Sequence, residues 1–209
     1  IGEDGVYIEG TKIGCPRSGY CVGQRLKVGE KISVISLLKA MLMNSANDAA
    51  LALGKHIGGS EESFVNMMNK KAKDLGLNDT NFCTPSGLEP DGRESECYSS
   101  AHDIGYIAAS SMKYDLIWDI MRLPNNTIIT SADGTYSHTI LNTDIVLNEI
   151  TNCIGGKTGF TPLAGRSLLL GVSDPTGKHR VVAVLLDDPY RWQDIKTMIN
   201  WTFESYEWR

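Results

Sequence analysis

Residues 166–172 and 180–186 are two apolar runs separated only by "SDPTGKH", and a short turn of Asp, Pro and Gly between strand-like runs predicts an antiparallel hairpin. Two further strand-like segments, 127–130 and 136–141, precede it. Upstream of these the pattern is helical. Val34, Ile35, Leu38, Met41 and Leu42 recur at the spacing of one helix face. Asn47 and Asp48 are placed to cap a second helix that reaches about residue 56 and ends at Gly58-Gly59. Ser60 opens a third helix whose Phe64, Met67, Met68, Ala72 and Leu75 form one apolar stripe, read as core packing. Ser100 followed by Asp103 has the form of a capping box at the head of a fourth helix, running to about residue 113. Residues 78–98 predict a loop, residues 5–9 and 20–26 short strands, and residues 192–206 a last helix. Helices first, then a run of strands, then one closing helix predict an α+β fold with helices packed on an antiparallel sheet.

The chain of 209 residues is long enough for one large domain or two small ones with a substantial core. A net charge of -5 leaves no basic footprint, so nucleic acid is not an expected partner. The longest apolar runs, such as "VVAVLL" at 181–186, are far too short to span a bilayer, and no transmembrane segment is expected. The opening "IGEDGVYIEG" does not read as a signal peptide, although a trimmed exported chain has the same appearance. The cysteines Cys15, Cys21, Cys83, Cys97 and Cys153 form no C-x-x-C pair and have no histidine at zinc-finger spacing, so no metal or cofactor is expected. Cys15 and Cys21 bracket "CPRSGYC" and can pair in an oxidising compartment; buried or idle thiols are the equal alternative. His56, His102, His138 and His179 are scattered and belong to no nucleophile motif, which makes them surface or core-satisfied side chains.

Three short patterns carry chemistry. Ser36-Leu37-Leu38-Lys39 spells S-x-x-K, Ser45-Ala46-Asn47 spells S-x-N, and Lys157-Thr158-Gly159 spells K-T-G. On one helix, nine residues advance the chain by about 13 Å and through about two and a half turns, so Ser36 and Ser45 face opposite sides. Ser36 and Lys39 also fall opposite Val34, Leu38 and Met41, on a face expected to be solvated. S-x-x-K recurs at Ser110-Ser111-Met112-Lys113, so the pattern alone says little. Ser45 and Asn47 interrupt an apolar-patterned helical stretch: a hydroxyl there can relay a proton, and an amide can hold a substrate amide and a lysine together. Helix capping by Asn44, Ser45, Asn47 and Asp48 is the competing explanation. Lys157 offers a charge and Thr158 a hydroxyl for a substrate carboxylate, while Gly159 leaves a strand edge unobstructed. A Gly-rich hairpin turn is the competing explanation for that segment.

With S-x-N and K-T-G in order, the stretch "LKVGEKISVISLLKAMLMNSANDAALALGKHIGGSEESFVNMMNKKAKDLGLNDTNFCTPSGL" resembles the serine D-alanyl-D-alanine carboxypeptidases, the low-molecular-weight penicillin-binding proteins. "YSSAHDIGYIA", "HTILNTD" and "IGGKTGFTPLAGRSLLLGV" continue the likeness in the same order. The resemblance implies a β-lactamase/transpeptidase-like fold over residues 1–209, as one penicillin-binding domain incomplete at its N-terminus. It implies that Ser36 is not the nucleophile, which in this family lies several dozen residues before S-x-N, outside this chain together with its lysine base. It also implies cleavage of the terminal D-Ala from peptidoglycan stem peptides through an acyl-serine, on the cell-wall side of the membrane. Ser45 would pass the proton to the departing D-alanine, and Asn47 would orient the lysine and the substrate amide. Lys157 and Thr158 would bind the terminal carboxylate, with Gly159 shaping the strand edge and Arg191 near the carboxylate. β-Lactams would acylate the protein if the nucleophile is supplied. The alternative is a catalytically inactive relative that binds wall peptides or a protein partner. A secreted class A β-lactamase is a third reading, for which no Glu-bearing loop is identifiable.

Overall fold

The computed structural model describes residues 5–7 and 26–207. The chain divides into two compact units, one holding residues up to Ser99 with Pro124–Leu141, the other holding Ser100–Leu123 with Asn142–Arg209.

In the first unit, β1 (Gly5–Tyr7) pairs antiparallel with β2 (Lys31–Ser33), which leads directly into α1 (Val34–Asn44). Ser33 caps α1 by accepting from the Ser36 amide at 3.3 Å. The buried residues of α1 are Leu37, Ala40 and Met43. This face is rotated from the expected one, and Ser36 and Lys39 are half-buried instead of solvated. Every residue of α1 lies inside or at the edge of the packing, so a polar-versus-apolar count could not pick out its innermost side.

The next helix, α2 (Asn47–Gly58), is buried from Asn47 through Gly54 and packs against α1 and against α3 (Glu61–Asp74). Ser60 caps α3 as predicted, its hydroxyl accepting from the Ser63 amide at 3.0 Å. The stripe on α3 is core packing only in part, since Ala72 is buried but Met67 is exposed. The 78–98 segment is a loop with one antiparallel bridge between Asn81 and Tyr98, closed by a Cys83–Cys97 disulfide. This bridge was not anticipated from the sequence, and the expectation for Cys15 and Cys21 lies outside the described residues. The unit is completed by a hairpin of β3 (Thr127–Thr130) and β4 (Ser137–Ile140). His138 on β4 is satisfied by buried Glu30, Nε2 to Oε1 at 2.7 Å.

The second unit holds α4 (Ala101–Ser111), α5 (Asp115–Met121) and an antiparallel sheet ordered β5–β6–β7 (Cys153–Thr161, Gly165–Ser173, Arg180–Leu185). It closes with α6 (Arg191–Ser205). The "SDPTGKH" turn joins β6 and β7 in the predicted hairpin, with Leu170 opposite Ala183. Leu168, Leu170 and Val172 alternate into the core, where they meet Val146, Cys153, Ala183, Ile195 and Ile199. Helix α5 packs on β5, α4 on β7, and α6 on β6 and β7, giving the expected α+β layering within this unit. Among the described residues, no helix is long and apolar enough to cross a membrane.

Candidate active site

Ser45 stands just past α1 with φ 55° and ψ 37°, a left-handed conformation uncommon for a residue with a side chain. Its amide and that of Ala46 both turn back to the Ala40 carbonyl, so the helix ends in a tight reversal around the serine. A strained conformation at a serine of S-x-N is a pointer toward function.

Capping accounts for part of the pattern, since Ser45 is the C-cap of α1. The N-cap of α2 is Ala46, with no side-chain bond to the helix. The Asp48 carboxylate instead accepts from the Leu26 and Ala49 amides at 3.2 and 2.9 Å. Asn47, 6% exposed, opens the helix beside it. The first unit thus brings Ser45 and Asn47 together at a helix–helix turn.

The second unit brings together Lys157, Thr158, Gly159 and Arg191. K-T-G lies inside β5, not in a turn, and β5 is the outer strand of its sheet among the described residues. An outer strand is the kind of element to which an extended peptide can pair main chain to main chain. The Lys157 ammonium donates to the Thr158 carbonyl at 2.6 Å. Arg191, at the start of α6, donates through Nη1 to the carbonyls of Gly159 and Ser167, both at 3.0 Å, so its guanidinium is tied to K-T-G and to the neighbouring strand. Burial pushes the Lys157 pKa down to about 8, and the charge of Arg191 adds to this while that of Asp144 opposes it. Burial likewise lowers the pKa of Arg191. Two partly desolvated cations beside a hydroxyl suit a carboxylate.

Two residues of this site had no role in the sequence reading. Thr143 sets its hydroxyl 2.6 Å from that of Thr158. Asp144 is 5% exposed, and one of its oxygens accepts from the Val146 amide at 3.0 Å. Both lie in "HTILNTD", recognisable as part of a family likeness but giving no hint of which strand it would back.

Solved structures similar to this chain include a carboxypeptidase and a transpeptidase. A D-alanyl-D-alanine carboxypeptidase from Mycobacterium tuberculosis matches with a TM-score of 0.82 and 28% identity, over 99% of this chain and 76% of that one. A Streptomyces DD-transpeptidase matches with a TM-score of 0.83 and 26% identity, over 98% of this chain and 80% of that one. The fold is therefore that of the penicillin-binding, β-lactamase-like class. More narrowly, the family model of D-alanyl-D-alanine carboxypeptidases matches residues 18–190, and the chain belongs to this family. It is 34% identical to the D-alanyl-D-alanine carboxypeptidase DacF of Bacillus subtilis, covering 87% of this chain and 46% of that protein. It is also 34% identical to DacB2 of Mycobacterium tuberculosis, covering 88% and 62%. The chain thus spans about half to three-fifths of the length of these relatives.

Ser36 remains set apart from Ser45. It sits in the first turn of α1, where its hydroxyl accepts from Ser33 Oγ at 2.9 Å, about 13 Å of helix rise from Ser45. A labelled penicillin is expected to leave Ser36 unmodified. Intact-mass spectrometry with peptide mapping checks this, and a stoichiometric adduct on the Ser36 peptide would contradict it.

Proposed function

We infer that the protein is an extracytoplasmic D-alanyl-D-alanine carboxypeptidase that removes the terminal D-Ala of peptidoglycan stem peptides through an acyl-serine. The observation that carries this reading is the Lys157-Thr158-Gly159 strand with Arg191 bound to its backbone, a cationic edge suited to a peptide ending in a carboxylate. The nucleophilic serine and its lysine base are assigned to a part of the protein outside these residues. Ser45 passes the proton to the leaving amine and Asn47 orients the substrate amide, each by the chemistry of its side chain. Lys157, Thr158 and Arg191 bind the terminal carboxylate, and β-lactams occupy the same groups. The two compact units are read as parts of one penicillin-binding domain, supported by a family match that runs through both. The Cys83–Cys97 disulfide favours an oxidising compartment and thus the wall side of the membrane.

The test is the binding of a fluorescent peptide ending in D-Ala-D-Ala, with its C-terminal amide as control. The free acid is expected to bind saturably and better than the amide. Lys157→Ala is expected to weaken the acid by roughly 10- to 100-fold, the range for a charge-assisted hydrogen bond. Equal binding of acid and amide by the wild type overturns the reading, as does Lys157→Ala binding that matches the wild type.

A further inference from the structure

Position 156 is glycine because a carboxylate stands where its side chain would be. A Cβ on Gly156 would lie 2.1 Å from Asp144 Oδ2, with Leu170 Cδ1 at 2.6 Å and the Leu169 carbonyl oxygen at 3.0 Å. Asp144 is held there by its own loop. The Asn142 amide donates to the carbonyls of Met121 and Leu123 at 2.8 and 3.1 Å, and its oxygen accepts from the Asp144 amide at 3.0 Å. Asp144 Oδ1 then takes the Val146 amide, and Oδ2 is left buried with no hydrogen-bond partner. A buried, half-satisfied carboxylate is costly to keep, and its place against Gly156, the residue before Lys157, gives that cost a use. Arg191 Nε is the other buried polar atom without a partner among the described residues.

We propose that Asp144 is a positioning residue for carboxylate recognition, whose buried charge behind β5 opposes an incoming anion when ionised and supports the charge of Lys157. The inference rests on the reading of Lys157, Thr158 and Arg191 as the carboxylate site. The charged and titratable groups around Asp144 are Lys157 and Cys153 on β5 and Arg191 on α6, with Arg166 acting on Arg191 and Arg122 on Cys153. Burial drives the Asp144 carboxyl up to about 6, against the smaller opposite pulls of the Val146 amide, Arg191 and Lys157. Near neutral pH the carboxylate is therefore mostly ionised, and it neutralises part of the cationic field that the substrate would use. A modest fall in pH removes that opposition while the peptide carboxylate, with an ordinary pKa near 3.5, is still charged.

The experiment measures affinity for the fluorescent D-Ala-D-Ala peptide between about pH 5 and pH 9, a window bracketing the two displaced groups. Wild-type affinity is expected to be highest at the acid end and to fall in two steps, near pH 6 as Asp144 ionises and near pH 8 as Lys157 loses its proton. The first step is expected to be roughly three- to tenfold, as for partly screened charges a few ångströms apart. In Asp144→Asn the first step disappears, binding at pH 7 tightens by the same factor, and the alkaline step moves to lower pH. Asp144→Ala should show the same loss of the acid step, and the wild-type profile needs no variant at all. If the wild type prefers the acid to the amide but lacks the acid step, the inference falls alone. An Asp144→Asn protein that copies the wild-type profile, or that binds more weakly by one factor at every pH, has the same consequence and reduces Asp144 to a structural residue. If acid and amide bind equally, the carboxylate-site reading falls and takes the inference with it.

Discussion

Trp118→Ala is expected to destabilise the protein by about 3–5 kcal/mol, the range for removing a large aromatic side chain from a core. Trp118 is 3% exposed and enters a slot made by two glycines that face each other across β5 and β6, Gly155 and Gly171. A Cβ on Gly171 would lie 2.4 Å from the indole Cζ3, and one on Gly155 would lie 2.9 Å from the Trp118 carbonyl oxygen. Glycine is needed at both positions for the tryptophan to approach. The indole nitrogen also donates to Ser111 Oγ at 3.2 Å, which ties α5 to the end of α4. Gly155 is two residues before Lys157, so the cavity opens under the strand that carries the candidate carboxylate site. Urea unfolding followed by far-ultraviolet circular dichroism checks the expectation. A loss below about 1 kcal/mol, the level of an ordinary surface change, contradicts the slot.

The same slot explains what the sequence concealed. The β6–β7 hairpin, the β3–β4 strands and five helices, α1 to α4 and α6, were legible from apolar patterns and from turn or cap chemistry at their ends. Ser60 and Ser100 are such caps, accepting from the Ser63 and Asp103 amides at 3.0 and 3.1 Å. Helix α5 has seven residues and no side-chain cap, too short for a period to show. Strand β5 contains Gly155, Gly156 and Gly159, which by composition look like a turn. They lie in a strand because Trp118 and Asp144 press against the first two, a reason supplied by residues far along the chain. The site divides in the same way. Ser45, Asn47, Lys157, Thr158 and Gly159 could be named from motifs, and Arg191 from the family likeness. Thr143 was hidden because its contact with Thr158 spans 15 residues and depends on where the loop folds back onto β5.

Motif and geometry also separate at Ser36. The letters S-x-x-K invited a catalytic reading, and the apolar period argued against it by placing Ser36 and Lys39 in solvent. That physical reason was inaccurate, because both are half-buried. What sets Ser36 aside is its place in the first turn of α1, bonded to the Ser33 hydroxyl and distant from Ser45. Helix rise is fixed by backbone geometry, whereas burial depends on everything packed around the helix, so the first kind of argument survives where the second does not.

Replacing both Cys83 and Cys97 with alanine is expected to cost about 3 kcal/mol, the chain-entropy value for a loop of this size. The two cysteines are 14 residues apart with Cα atoms at 5.5 Å, and little else in the intervening chain is regular. The bridge acts on a loop fixed at its ends by short-range bonds: Asn69 exchanges hydrogen bonds with the Phe82 backbone at 2.7 and 2.8 Å, and Asn81 pairs with Tyr98. Between these ends the order is local: a short 3-10 turn at Glu94–Glu96, an exposed Arg93–Glu96 ion pair, and turn bonds such as Thr84 Oγ1 donating to the Leu88 carbonyl at 2.8 Å and the Gly92 amide donating to Glu94 at 3.0 Å. Removing the covalent closure returns the loop-closure entropy to the unfolded state, whatever local bonds the folded loop keeps. Cys153 is not expected to replace a lost partner, being buried with its thiol pushed up to about 11, which leaves almost no thiolate near neutral pH. Comparing denaturant midpoints of wild type and double variant, both without reductant, gives the measurement. Coincident midpoints would mean that the loop is held without the bridge, and the main physical argument for an oxidising compartment would go with it.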